Sequence, residues 1–286
     1  MTSLDKRLHA FRPDLADKRL QDSIAAQRFV DGRPARVTVP VLDLRSEPRP
    51  DAGLDTQLLM GEDVLVFDEV EGFAWVQAAS DGYVGYVASS GLAQPQAHTT
   101  HIVAVPRTFI YREPDMKKQA TACLTLGDTV RIVDTVPVRG TTYALLDSGE
   151  ALIAHHLSAA EGGEADYVAI AETLERTPYL WGGKSAFGID CSGLVQLSMR
   201  MTGRTVLRDT DMQEHSIGEM LSPDHELAEL QRGDLVFWKG HVAIVTGGDA
   251  IIHANGHTMM VSREMLSGAV ERIAWLYGRP TSFRRP

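Results

Sequence analysis

The 286-residue chain is 44% hydrophobic and 23% charged, an ordinary globular balance, and it is long enough for two or three domains at about 100–200 residues each. A formal net charge of -10 and an isoelectric point near 5.5 give phosphate backbones nothing to bind, which argues against nucleic-acid partners. No apolar run reaches the roughly 18 residues of a membrane span, and the opening Met-Thr-Ser-Leu-Asp-Lys-Arg has no signal-like apolar stretch, so the expectation is a cytoplasmic chain without membrane contact and with both cysteines reduced.

Residues 1–35 read as a charged N-terminal extension in which Leu15, Leu20 and Ile24 suggest a short helix, ended by Gly32-Arg-Pro34. Two β-rich stretches follow. The first spans 36–95, with strands expected at 36–42, 63–67, 73–77 and 83–87; Trp75 and Tyr86 are expected in its core. The second spans 99–158, with strands at 108–111, 129–133, 142–146 and 151–154. Leu59-Met-Gly-Glu-Asp-Val-Leu-Val resembles Leu124-Thr-Leu-Gly-Asp-Thr-Val-Arg-Ile-Val, so the stretches read as a weak internal repeat of small SH3-like β-barrels, joined by Gln94-Pro-Gln-Ala-His98. Cys123, in Ala120-Thr-Ala-Cys-Leu124, reads as a small apolar residue.

From residue 165 to 286 the pattern is α+β. A helix is expected over 167–176. The glycine-broken Thr177-Pro-Tyr-Leu-Trp-Gly-Gly183 leads to a second helix that starts near Cys191 and stops at Gly203. Strand-like runs follow at 234–238, 241–245 and 250–253.

Cys191 lies in Asp190-Cys-Ser-Gly193, at a helix start, where the dipole is expected to lower its thiol pKa and favour the nucleophilic thiolate. A cysteine nucleophile needs a base, and the base needs a group that orients it. His241 opens one strand and His253 closes the next, around the turn Thr246-Gly-Gly-Asp249. A hairpin symmetric about Gly247 places the two histidines directly opposite each other on one face, whereas a one-residue shift separates them. His241 is then the candidate base and His253 its orienter. A lone cysteine or histidine is more often structural, but the combination favours chemistry. A zinc site built from Cys191, His241, His253 and His257 is a competing reading, weakened because no second cysteine gives the usual ligand spacing.

Taken together, Tyr179-Leu-Trp-Gly-Gly183, Asp190-Cys-Ser-Gly-Leu194, Arg232-Gly-Asp-Leu-Val-Phe237, Gly240-His-Val-Ala-Ile244 and Ile252-His-Ala254 resemble the motifs of the NlpC/P60 cysteine peptidases. The resemblance covers about 165–280 and implies a trimmed papain-like fold, a Cys191–His241–His253 triad, no cofactor, no metal and cleavage of bacterial cell-wall peptides. The Cys191 backbone N–H would help to hold the oxyanion, and Tyr179 is either a second donor there or a packing aromatic.

The order of two barrels before this domain resembles a subgroup of the dipeptidyl-peptidase VI type, the γ-D-glutamyl-L-diamino acid endopeptidases. These act on freed murein peptides with an unblocked N-terminal L-Ala, which implies a role in cell-wall recycling. By this resemblance Asp209 docks the amine, Thr210 supports it where serine is commoner, and Asp190 and Ser192 contact the substrate. Tyr83 and Glu47 are candidate substrate residues of a first barrel that closes one end of the cleft; a solvated loop charge is the plainer reading of Glu47. The substrate is expected to meet a monomer. The rival readings are a papain-like amidase or acyltransferase, and an inert SH3-type wall-binding protein. The sequence does not separate lysine from meso-diaminopimelate in the leaving half.

Overall fold

The computed structural model describes residues 4–95, 97–160, 166–222 and 227–286. Gln96 of the expected linker and residue 165 at the expected start of the last domain lie outside them. The chain divides into two compact units, Met1–Glu161 and Gly162–Pro286. Among the described residues, no helix is long and apolar enough to cross a membrane.

Among the described residues, the first unit is all-β apart from single 3-10 turns. Seven strands between residues 33 and 93 form one sheet, in the order Leu54–Leu59, Val41–Arg45, Val84–Ala88, Phe73–Ala78, Asp63–Val70, Arg33–Val37 and Leu92–Ala93. The single strand expected over 36–42 is broken before Pro40, whose ring cannot donate to a ladder. The strand Leu54–Leu59 was not foreseen, because Leu-Asp-Thr-Gln-Leu-Leu has no clean alternation.

The N-terminal segment differs from its expected helix. Ala16–Asp17 pairs in parallel with Phe29–Val30, and only a 3-10 turn, Lys18–Leu20, is helical. Asp17 accepts the Arg19 N–H and caps that turn. Leu15 and Ala10 are buried with Phe67 and Trp75, so the segment completes the first core instead of trailing from it. Arg12 lies over the Trp75 ring, 4.4 Å from its centroid, and donates to Tyr86 Oη and Asp68.

A five-stranded and a three-stranded sheet follow between residues 101 and 159 and share a core of Val103, Ile110, Leu124, Val130 and Leu152. Cys123 lies in an unforeseen strand, Ala120–Thr125, opposite Phe109, and is part-buried. The backbone repeats between the two halves. Val37 N–H donates to Glu62 O and Gly61 N–H to Val37 O; one repeat later Val103 N–H donates to Asp128 O and Gly127 N–H to Val103 O. Gly61 and Gly127 both have a left-handed φ, 83° and 89°. Asp128 is fully buried and ties the halves together: its carboxylate accepts Met60 N–H at 3.0 Å and Thr125 N–H at 2.8 Å.

In the second unit a helix α1 (Tyr167–Thr173) ends before Arg176, which takes a left-handed φ of 70°. Helix α2 (Cys191–Arg200) starts where expected and ends three residues before Gly203, at φ 78°. A short polar helix, α3 (Thr210–Ser216), was not foreseen. Strands β1 (Glu219–Met220), β2 (Leu235–Trp238), β3 (His241–Gly247), β4 (Ala250–Asn255), β5 (Met260–Met265) and β6 (Ser282–Arg285) form one sheet in the order β1-β6-β2-β3-β4-β5. Helix α4 (Leu266–Tyr277) packs Leu266, Ala269, Val270 and Ile273 on Trp238, Ala243, Val245 and Ile251. α2 packs against β3 and β4, whose other parity supplies buried Val242, Ile244, Ile252 and Ala254. Val242, Ile244 and Ile252 each contribute about 1.5–3 kcal/mol of burial, so the sheet fixes α2 firmly.

Candidate active site

The first turn of α2 is held by its own N-cap. Asp190 Oδ1 accepts the Gly193 N–H at 2.7 Å, and Oδ2 accepts the Gly182 N–H at 2.9 Å. Arg208, 1% exposed, binds both carboxylate oxygens, at 3.0 and 2.7 Å, and also donates to Ser192 Oγ and Gly183 O. Gly193 stands where a Cβ would come within 2.3 Å of Gly183 O, so only glycine lets the helix lie against the Gly182-Gly183 loop. The two glycine motifs and Asp190 are thus one construction that presents Cys191. Both carboxylate oxygens of Asp190 are engaged by protein donors, which gives the residue a role in building the loop. Ser192 is likewise engaged with Arg208, at 2.7 Å.

The Cys191 side chain is 6% exposed. Its sulfur lies 3.8 Å from Thr210 Oγ1 and is reached by the backbone N–H of Val242, on the strand that begins with His241. Burial pushes its thiol up to about 11, and the neighbouring Asp190 charge adds to this; the Val242 N–H, Thr210 and Arg208 oppose without winning. The helix start alone predicts a lowered pKa, and burial of the sulfur acts in the opposite direction.

His241 follows a two-residue turn, Lys239-Gly240, with Gly240 at φ 77°. The ring of Trp238, its ladder partner, packs on the imidazole with centroids 5.7 Å apart. His241 Nε2 lies 2.8 Å from His253 Nδ1. Burial first, then the neighbouring His253 and Arg272, depresses the His241 pKa to about 3. Both shifts favour the uncharged forms of thiol and imidazole.

The two histidines are not directly opposite each other. Ile244 faces Ile252 and Val245 faces Ile251, which carries Ala243, not His241, to the position opposite His253. The register shifts between Val245 and Gly247, ahead of the tight turn Gly248-Asp249. That bulge restores the parity a two-residue turn alone would break, so both rings still share a face and meet diagonally.

His253 is fully buried, and its Nε2 lies 2.7 Å from Glu264 Oε1. The carboxylate sits off the N–H axis, so the contact is electrostatic rather than a well-aligned hydrogen bond. Glu264 also pairs with Arg272 on α4. The sequence reading missed both residues. The signal was parity: on β5, Glu264 shares a face with Ser262, the ladder partner of His253. Arg208 was missed as an anchor because a loop separates it from Asp190 in sequence.

Tyr179 is part-buried and close enough to Cys191 for the two to interact electrostatically; burial first, then Cys191 and Asp190, raise its phenol. Thr210 opens α3 beside the sulfur, and Asp209 is its N-cap residue, part-buried and without a side-chain cap bond. Tyr83 and Glu47 lie in the first unit. Tyr83 is buried, whereas Glu47 is exposed and paired with Arg49 at 2.8 Å. The backbone N–H of His257 donates to Asn255 Oδ1 in a turn. Among the described residues, no group of three or more His, Cys, Asp or Glu is placed to hold a metal ion.

Residues 176–275 match the model of the NlpC/P60 family, and residues 44–92 match that of the bacterial dipeptidyl-peptidase SH3 domain. The chain is 28% identical over 240 residues to dipeptidyl-peptidase 6 of Lysinibacillus sphaericus, covering 77% of this chain and 87% of that protein. It is 28% identical over 223 residues to a gamma-D-glutamyl-L-lysine dipeptidyl-peptidase of Bacillus subtilis, covering 70% and 72%. A crystal structure of an NlpC/P60 family protein from Bacillus cereus superposes with a TM-score of 0.72 over 88% of this chain and 99% of that one. At 22% identity that likeness shows a common fold.

Proposed function

This chain belongs to the NlpC/P60 family of cysteine peptidases, and from that premise we propose that it hydrolyses the bond between γ-D-Glu and a diamino acid in free murein peptides with an unblocked N-terminal L-Ala. The observation that carries the reading is the line Cys191, His241, His253, in which the sulfur meets the strand of the first histidine and the second holds it at 2.8 Å. Two relatives named for dipeptidyl-peptidase activity support the substrate class.

In the proposed reaction Cys191 attacks the γ-carbonyl of D-Glu as its proton passes to His241. With Nε2 engaged by His253, Nδ1 is the nitrogen left to receive it. The Cys191 backbone N–H, free of helical partners at the first position of α2, and the Tyr179 hydroxyl hold the oxyanion. His241 then protonates the departing amine, and a thioester remains on Cys191. Water, deprotonated by His241, attacks the thioester and releases L-Ala-D-Glu. Asp209, beside Thr210, receives the free L-Ala amine. Ser192 keeps its proposed substrate role.

The repeated backbone hydrogen bonds support a second SH3-type barrel after the first. Recycling of wall fragments in the cytoplasm belongs to the same proposal. Mass spectrometry of products from L-Ala-γ-D-Glu-L-Lys and its meso-diaminopimelate counterpart, each free and N-acetylated, tests it. The expected products are L-Ala-D-Glu and the released diamino acid, formed far faster from the free peptides than from the blocked ones. Cleavage at another bond, or equal cleavage of the blocked peptides, would overturn it.

A further inference from the structure

We propose that Glu264 is a positioning residue that sets the proton order of the His253–His241 pair, so that the nitrogen of His241 left for Cys191 is the unprotonated one. This deepens the reading of His241 as the base and rests on it.

A neutral imidazole carries one N–H and one lone pair, so a line of two rings has two possible polarities. Between His241 Nε2 and His253 Nδ1, 2.8 Å apart, one nitrogen must donate. Nothing in that pair chooses. The choice is made at its end. His253 is fully buried, and the carboxylate 2.7 Å from its Nε2 can only accept. Placing the His253 proton on Nε2 sets a positive N–H edge, and not a lone pair, beside that anion. His253 Nδ1 is then a lone pair and accepts the His241 N–H from Nε2. His241 Nδ1 is left bare, able to take the thiol proton. The opposite order sets a His253 lone pair against a carboxylate and protonates His241 Nδ1, which can then accept nothing.

Glu264 is suited to the task on other grounds. Burial alone would raise its carboxyl, but His253 and Arg272 outweigh burial and hold it below its usual range, so it is charged at neutral pH. Arg272 grips the carboxylate and fixes its position, while β5 places it two residues from Ser262, the ladder partner of His253. When His241 takes the thiol proton, the positive charge on the histidine pair forms beside this anion. Other groups near the pair are Arg272, which opposes that charge, and the neutral ring of Trp238.

The test is nitrogen NMR of the full chain labelled at histidine, at neutral pH and without substrate, together with steady-state kinetics. In the wild type, His253 is expected protonated at Nε2 and His241 likewise at Nε2. Glu264→Ala should mix the tautomers and lower kcat by about 10- to 100-fold, the usual scale for losing the partner of a functional histidine, with KM unchanged. Glu264→Gln, whose amide oxygen still accepts and which is nearly isosteric, should restore the wild-type tautomer and most of the rate. A wild-type His253 protonated at Nδ1, or an alanine variant with unaltered spectrum and kcat, would overturn the proposal. Because the tautomers are read in the resting protein, failure of the peptide assay itself would count against the proposed substrate and leave this reading separately decided.

Discussion

The guanidinium of Arg208 holds both carboxylate oxygens of Asp190, at 3.0 and 2.7 Å, one residue before the proposed nucleophile. Both groups are buried. A buried pair of this kind is costly to break from one side, because the surviving charge is left without a partner. Arg208→Ala is therefore expected to destabilise the second unit by about 3–5 kcal/mol, read as a lowered urea midpoint with activity lost in parallel. Arg208→Lys keeps the charge but not the fork and should recover only part of the stability.

The buried thiol makes its own prediction. Cys191 is pushed up to about 11 and His241 down to about 3, which predicts a free enzyme without a standing thiolate–imidazolium pair. Iodoacetamide alkylation of Cys191 should keep accelerating from pH 7 to 10, with no plateau near neutrality. A plateau between pH 5 and 8 would show that the ion pair is already formed.

Asp128 links acidity to stability in the first unit. Burial raises its carboxyl to about 8 despite two backbone N–H donors. The unfolded carboxyl titrates near about 3.9, so the folded state keeps a proton that the unfolded chain releases. Its contribution is fully present below that value and is lost as pH rises toward about 8. Urea midpoints of the wild type should therefore fall relative to Asp128→Asn between pH 5 and 8. Parallel pH profiles would contradict the assignment.

Asp209 separates docking from chemistry. Asp209→Asn should raise KM for peptides with a free L-Ala amine by about 10-fold, the scale of a lost charge-assisted hydrogen bond, and leave the slow turnover of N-acetylated peptides unchanged. Equal losses on both would remove Asp209 from amine recognition.

Much of this site was legible in the sequence, for definite reasons. Cys191 opens its helix because Asp190 caps it and Gly193 alone fits against Gly183, and those types at that spacing are visible without coordinates. The shared face of His241 and His253 was legible as parity. Their diagonal register was not, since it depends on a bulge beside Gly247 that no periodicity encodes. The burial that raises the thiol was not legible, because it comes from β3 and α3 packing around the sulfur. Arg208 and Glu264 escaped notice because charged residues at loop and strand positions ordinarily face water, and only tertiary structure shows what they grip. The N-terminal segment was misread for the converse reason: Leu15 at helical spacing is buried by the β-core it joins, not by a helix of its own.

The central claim is that Cys191 is the attacking group. The most direct measurement is turnover of L-Ala-γ-D-Glu-L-Lys by Cys191→Ala, with substrate binding followed by calorimetry on the same sample. The account predicts hydrolysis reduced to background and peptide binding retained. Hydrolysis at a rate near that of the wild type would contradict it.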